Sequence, residues 1–123
     1  MLNHIGISVN NVSEIKNFYQ DILEMKIVKQ FTINRELSNK IFNINEDTDV
    51  YLMQKDELVF ELFIEHNSKA KNYFHICLNV HSRDKLIEKA KKQNYTCTII
   101  VKKNYNLVFI QDKTGNLFEI KEL

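Results

Sequence analysis

Apolar and polar positions alternate along most of this chain with one of two periods. A period of two, the mark of a strand with unlike faces, sets Ile5, Ile7 and Val9 against His4, Gly6 and Ser8. It returns where Phe60, Leu62 and Ile64 oppose Val59, Glu61, Phe63 and Glu65, and where Ile76, Leu78 and Val80 oppose His75, Cys77 and Asn79. A fourth case sets Phe118 and Ile120 against Leu117, Glu119 and Lys121, and strand-like runs also cover 26–32, 49–54, 96–102 and 106–112. The helical period appears twice. Val12, Ile15, Phe18, Tyr19, Ile22 and Leu23 follow Asn11-Val12-Ser13-Glu14, which reads as a capping box. Ser82 is placed to cap a second helix that carries Leu86, Ile87 and Ala90 and ends near Asn94.

These elements repeat. HIGISVNN at 4–11 returns as HICLNVHS at 75–82, and VFEL at 59–62 returns as LFEI at 117–120. Internal self-similarity is the strongest organising signal a single sequence offers. Each half opens on a His-Ile strand, passes through a helix, and closes on a Phe-Glu strand. The order is βαβββ, twice, in an α+β domain spanning 1–123, with modules at about 1–66 and 73–123. The polar, Asn-rich segment 33–47 interrupts the first module as a loop or a short helix over the site.

Composition narrows the partners. A chain of 123 residues, 44% hydrophobic and 27% charged, can bury a core without disulfides. Its net charge of +1 supplies no field for nucleic acid or an anionic membrane surface. The Lys-rich stretch 85–92 reads as a solvated helix face. Arg35 and Arg83 are the only arginines, which leaves few bidentate donors for phosphate or carboxylate. The start of the chain lacks the features of a signal peptide, and Cys77 and Cys97 form no redox or zinc spacing. A reduced, cytoplasmic protein is the expectation.

The candidate chemistry lies on the mixed strand faces. His4, Glu61, His75 and Glu119 occupy equivalent positions in the two halves. Taken singly, a His or Glu on a strand is ordinarily solvent-facing, and that reading stays open on pattern alone. If the four converge, their carboxylates repel unless a cation lies between them. Mixed nitrogen and oxygen ligation would suit a divalent Ni, Zn, Mn, Co or Fe ion.

At these residues the sequence resembles the vicinal oxygen chelate superfamily, which includes glyoxalase I, methylmalonyl-CoA epimerase, fosfomycin and bleomycin resistance proteins and extradiol dioxygenases. The matching stretches are NHIGISVNNVSEIKNFYQDILEMKIV, ELVFELFIE, YFHICLNV and VFIQDKTGNLFEIKEL. The resemblance implies that the paired modules form a curved, cup-shaped mixed sheet around a metal, with helices on the convex face. It places His4, Glu61, His75 and Glu119 at the four ligand positions, a set most similar to that of glyoxalase I. Glu24 departs from the family pattern, which commonly has a Gly closing the first helix.

The activity implied is that of a lyase or isomerase, in which a metal holds two vicinal oxygens of a small substrate while Glu61 or Glu119 moves a proton between adjacent carbons through an enediolate. Ser8 stands where bacterial glyoxalase I carries an Arg that helps hold glutathione, and Glu65 where an Asn is frequent. Both argue against glutathione. An epimerase-like isomerase, a ferrous dioxygenase using His4, His75 and Glu119, and a drug-binding resistance protein are the alternatives. Ser8, Phe63, Cys77 and Asn79 share the site's face and are candidate substrate contacts. Cys77 also has the ordinary reading of a small buried thiol. His66 and His81 read as surface residues, and Lys121 as solvated. By resemblance the protein is expected to form a homodimer whose sites share ligands from both chains.

Overall fold

The computed structural model describes residues 1–69 and 73–123. The first module comprises β1 (Ile5–Val9), a π-helical turn (Ile15–Gln20), β2 (Lys26–Ile33), α1 (Arg35–Phe42), β3 (Thr48–Lys55) and β4 (Leu58–Ile64). The second comprises β5 (His75–Val80), α2 (Arg83–Lys92), β6 (Cys97–Val101), β7 (Asn106–Gln111) and β8 (Leu117–Glu122). Each module forms one four-stranded mixed sheet, in the orders β1-β4-β3-β2 and β5-β8-β7-β6. The expected α+β architecture of two βαβββ modules is what the chain adopts, and α1 is an addition confined to the first.

The registers repeat with the strands. In the parallel pair β1–β4, Gly6 lies beside Glu61; in β5–β8, Cys77 takes the same place beside Glu119. Each candidate His therefore sits two residues ahead of its Glu's strand neighbour. This is the spacing that puts both side chains on one face.

The first helical segment is wider than its periodicity predicts. Asp21 N–H bonds the Lys16 carbonyl at 2.9 Å and Leu23 N–H bonds that of Phe18 at 3.0 Å, both spanning five residues. The widened turn buries Ile15, Phe18, Tyr19, Ile22 and Leu23, whereas Val12 precedes the turn and is exposed. The capping box does not form. Asn11 Oδ1 accepts from the Ser13 N–H at 2.9 Å, but Glu14 does not reach back. Its buried carboxylate instead accepts the Tyr95 hydroxyl and the Lys113 N–H of the second module. Two donors in a buried setting satisfy a carboxylate better than one exposed N–H of its own turn. The second helix follows its sequence signals: Ser82 accepts from the Lys85 N–H, and Leu86 and Ala90 are buried.

One core serves both modules. Phe60 and Leu62 from the first sheet, Ile110, Phe118 and Ile120 from the second, and Phe18 and Tyr19 from the π-helical turn belong to the same buried cluster. Phe18 packs on Phe118 with centroids 5.5 Å apart and edge-on against Tyr95 at 4.9 Å. Polar pins surround this junction. Tyr19 donates to Asp112 Oδ2 at 2.8 Å, while Asp112 Oδ1 accepts the Gly115 and Asn116 N–H groups at 2.9 and 2.8 Å. Asn116 then donates to the Ser8 carbonyl at 2.9 Å, tying β1 to the turn before β8. Asp112 carries its own cost, because burial holds its carboxyl above the usual carboxylate value against the opposing hydrogen bonds. Among the described residues no helix is long and apolar enough to cross a membrane.

Candidate metal centre

The strand registers bring the four predicted ligands together as two pairs. His4 Nε2 lies 3.8 Å from Glu61 Oε1, and His75 Nε2 lies 3.8 Å from Glu119 Oε2. That separation is too long for a hydrogen bond. Two donors that each stand about 2.0–2.2 Å from a shared ion can be up to roughly 4.2 Å apart, so each pair fits around one side of such an ion.

The ring orientation fits as well. His75 Nδ1 lies 3.0 Å from the Tyr73 carbonyl. A carbonyl can only accept, so Nδ1 carries a proton, and in the neutral ring that leaves the Nε2 lone pair toward Glu119. His4 Nδ1 is 3.0 Å from Asn3 Oδ1, with the same consequence for its Nε2 toward Glu61. A ligating His characteristically donates its other ring nitrogen in this way, which fixes tautomer and orientation. Phe109 adds a packing contact to the second pair, with its ring edge-on to His75 at 6.2 Å. It pairs with Glu119 in register and so shares its face.

The pairs do not merge into a quartet. Among the described residues no group of three or more His, Cys, Asp or Glu side chains is placed to hold a metal ion. Within one chain the convergence that the pattern left conditional does not occur among the described residues, and the cause lies in the core. Phe60 and Phe118 each precede a candidate Glu, and their rings face one another with centroids 6.1 Å apart. Because strand side chains alternate, Glu61 and Glu119 must then point away from each other. Packing both apolar faces into one core turns the two His-Glu faces outward, and both imidazoles are about two-fifths exposed.

The substrate-contact candidates divide in the same way. Gly6, Ser8 and Phe63 line a cavity of about 190 Å³ beside the His4–Glu61 pair, closed on its other side by Ser38 and Phe42 of α1 and by Ile44. Cys77 and Asn79 lie on the outer face of the second sheet, next to Glu119 and Lys121. Cys77 is exposed, which corrects the buried-thiol reading. Partial desolvation and then a hydrogen bond to Glu119 push its thiol up, so it stays protonated and is a poor nucleophile. His66 and His81 are exposed, as their positions predict.

The segment 33–47, expected as a loop or a short helix over the site, carries α1, and its apolar residues Phe42 and Ile44, which the sequence reading did not single out, line the cavity. Asn34 caps α1 by accepting from the Leu37 N–H at 2.9 Å, and Asp47 Oδ1 accepts the Arg35 N–H at 2.7 Å. These bonds hold Phe42 edge-on to Phe63 with centroids 5.1 Å apart. The signal was present as Ile33, Ile41, Phe42 and Ile44 within an otherwise polar segment.

Known proteins share this fold. Solved structures of the same fold include a glyoxalase family protein from Bacillus cereus, at 14% identity with a TM-score of 0.77, covering 98% of this chain and 92% of that one. The genomically encoded fosfomycin resistance protein of Listeria monocytogenes matches at 15% identity and a TM-score of 0.75, covering 100% and 93% of the two chains. The trypanothione-dependent glyoxalase I of Leishmania major matches at 17% identity and 0.74, covering 99% and 86%. A mutant of the Listeria protein has been solved in complex with Mn(II) and a dihydroxypropylphosphonic acid, and it matches at 17% identity and 0.73, covering 98% and 90%. No curated protein sequence matches the chain. The family model for the glyoxalase/bleomycin resistance protein/dioxygenase superfamily matches residues 1–120, and the chain belongs to that superfamily.

Proposed function

We propose that this protein is a metal-dependent lyase or isomerase of the glyoxalase type, acting on a small substrate with two vicinal oxygens. The observation that carries this reading is the repeated pair: in both modules a His whose Nδ1 is already donating turns its Nε2 toward a Glu oxygen 3.8 Å away. Solvated surface residues have no need of that arrangement twice. In a homodimer, His4 and Glu61 of one protomer would stand opposite His75 and Glu119 of the partner subunit and complete a four-ligand set. The outward direction of both pairs supports closure between chains over closure within one.

A divalent ion held there would supply Lewis-acid stabilisation of the negative charge that develops on the substrate oxygens. The protein's own part is the proton transfer. Glu61 or Glu119, each partly shielded from solvent and each beside a His, would take a proton from one carbon and return it to the next. Ser8 and Glu65 both line the cavity beside the first pair. With a hydroxyl and a carboxylate there, the cavity beside the first pair offers no cation among the described residues for a glutathione-like anion, which favours another substrate.

Titration of chelator-treated protein with Zn(II), Ni(II), Mn(II), Co(II) and Fe(II) tests the reading. One ion per chain is expected, with binding lost in His4→Ala; no stoichiometric binding of any of the five would overturn it. Screening the reconstituted protein against hemithioacetals of several thiols, acyl-CoA thioesters and catechols then separates lyase, epimerase and dioxygenase chemistry.

A further inference from the structure

The cavity under α1 has a chemical character of its own. It lies on the face that carries His4 and Glu61, with Gly6, Ser8 and Phe63 only two to four positions along the same strands. Its wall is formed largely by Ile33, Phe42, Ile44 and Phe63, and Glu65 is the single charged residue lining it. Among the described residues no hydrogen bond or ion pair engages the Glu65 carboxylate, and no lysine or arginine lines the space. At about 190 Å³ it exceeds the roughly 150 Å³ that suffices for benzene in an apolar cavity.

We propose that this cavity binds an uncharged apolar substituent of the substrate, of phenyl or branched-aliphatic size, and rejects anionic groups. The inference rests on the reading of His4 and Glu61 as half of the reaction site, because it treats the cavity as the adjoining part of that site. Apolar contact with Phe42, Phe63, Ile33 and Ile44 provides the attraction, at roughly 0.8 kcal/mol for each CH₂ group buried. A carboxylate, phosphate or phosphonate would be desolvated against those side chains with no counter-ion, and Glu65 would repel it. The cavity belongs to one module only. In the second module the β6–β7 connection is a short turn closed by the Lys102 N–H on the Tyr105 carbonyl at 2.9 Å, with nothing equivalent to α1.

The test uses the full chain without metal, so that it does not depend on the metal reading. Benzyl alcohol and benzoate are titrated separately into protein with labelled isoleucine methyl groups. Benzyl alcohol is expected to give saturable shifts at Ile33 and Ile44, with benzoate at least about tenfold weaker. Ser8→Leu, which fills the cavity from β1, is expected to weaken benzyl alcohol binding by a similar factor. Absent shifts with benzyl alcohol, or equal binding of benzoate, would overturn the assignment. The comparison of the two probes in the unaltered protein decides the matter even if Ser8→Leu does not fold. Failure here leaves the metal titration standing, and failure of the metal titration leaves these shifts to be read independently.

Discussion

Phe60 and Phe118 meet ring to ring across the two modules, and each immediately precedes a candidate metal ligand. The contact dictates that Glu61 and Glu119 of one chain diverge. If a second copy completes the site, defects in the two pairs should complement. Mixing His4→Ala with His75→Ala protein, under conditions that exchange subunits, gives mixed dimers in which one of the two sites draws on intact residues from both chains. Random exchange restores about a quarter of the wild-type metal sites. Each variant alone is expected to lose at least about 100-fold in metal affinity. Metal content after mixing and repurification checks this; no recovery would place all four ligands within one chain.

Glu119→Gln removes a proton acceptor while keeping the side chain's size. Turnover of an identified substrate is expected to fall by about 10²–10⁴-fold. A variant with full kcat would remove Glu119 from the proton transfer and leave that role to Glu61.

Tyr19→Phe deletes the hydroxyl that donates to buried Asp112 at 2.8 Å. Loss of about 1–3 kcal/mol in urea unfolding at pH 7 is expected, since a buried acceptor is left short of a donor. The pH dependence has a definite sign. The Asp112 carboxyl is already raised in the folded state, chiefly by burial, so its effect favours folding at low pH and is lost as pH rises from its ordinary value through the folded one. Removing the Tyr19 bond, which acts to lower that pKa, raises it further. The variant's deficit should therefore be smaller at pH 4 than at pH 7. An equal deficit at both would show that the bond is indifferent to the charge on Asp112.

Glu24 holds a left-handed backbone with φ at 59°, where the family pattern commonly has Gly. Its exposed carboxylate bonds Lys89 at 2.7 Å and Lys55 at 3.2 Å, which lower its pKa. Exposed pairs contribute little and are screened by salt, whereas Gly removes a steric cost of about 1 kcal/mol. Glu24→Gly is expected to be near neutral in dilute buffer and stabilising by up to about 1 kcal/mol in 0.5 M NaCl. A group with a lowered folded pKa stabilises above its unfolded value, and that contribution disappears as pH falls through the folded one. The advantage of Gly should therefore grow toward pH 3. Thermal unfolding across salt and pH checks both trends.

Much of this architecture was legible because strand alternation is strict where one face is buried. His4 with Glu61 and His75 with Glu119 could be placed on common faces from their neighbours Ile5, Phe60, Ile76 and Phe118 alone. What could not be read was which faces meet. The Phe60–Phe118 contact depends on how two sheets dock, and no local period encodes that. Glu14 misled for a related reason: its spacing from Asn11 fits a capping box, but the stronger donors lay about 80 and 100 positions away at Tyr95 and Lys113. Phe42 and Ile44 were hidden because their role is to cover a sheet rather than to continue a helix pattern.

The α1 insertion also makes the two halves of the chain unlike. Two half-sites copied from one module would flank a bound substrate with the same groups on either side. With α1, Phe42 and Glu65 stand on one side and the shorter β6–β7 turn on the other. In a dimer, every completed site then pairs one modified half with one plain half. If a homodimer forms, a single local insertion would thus make both of its sites lopsided in the same sense.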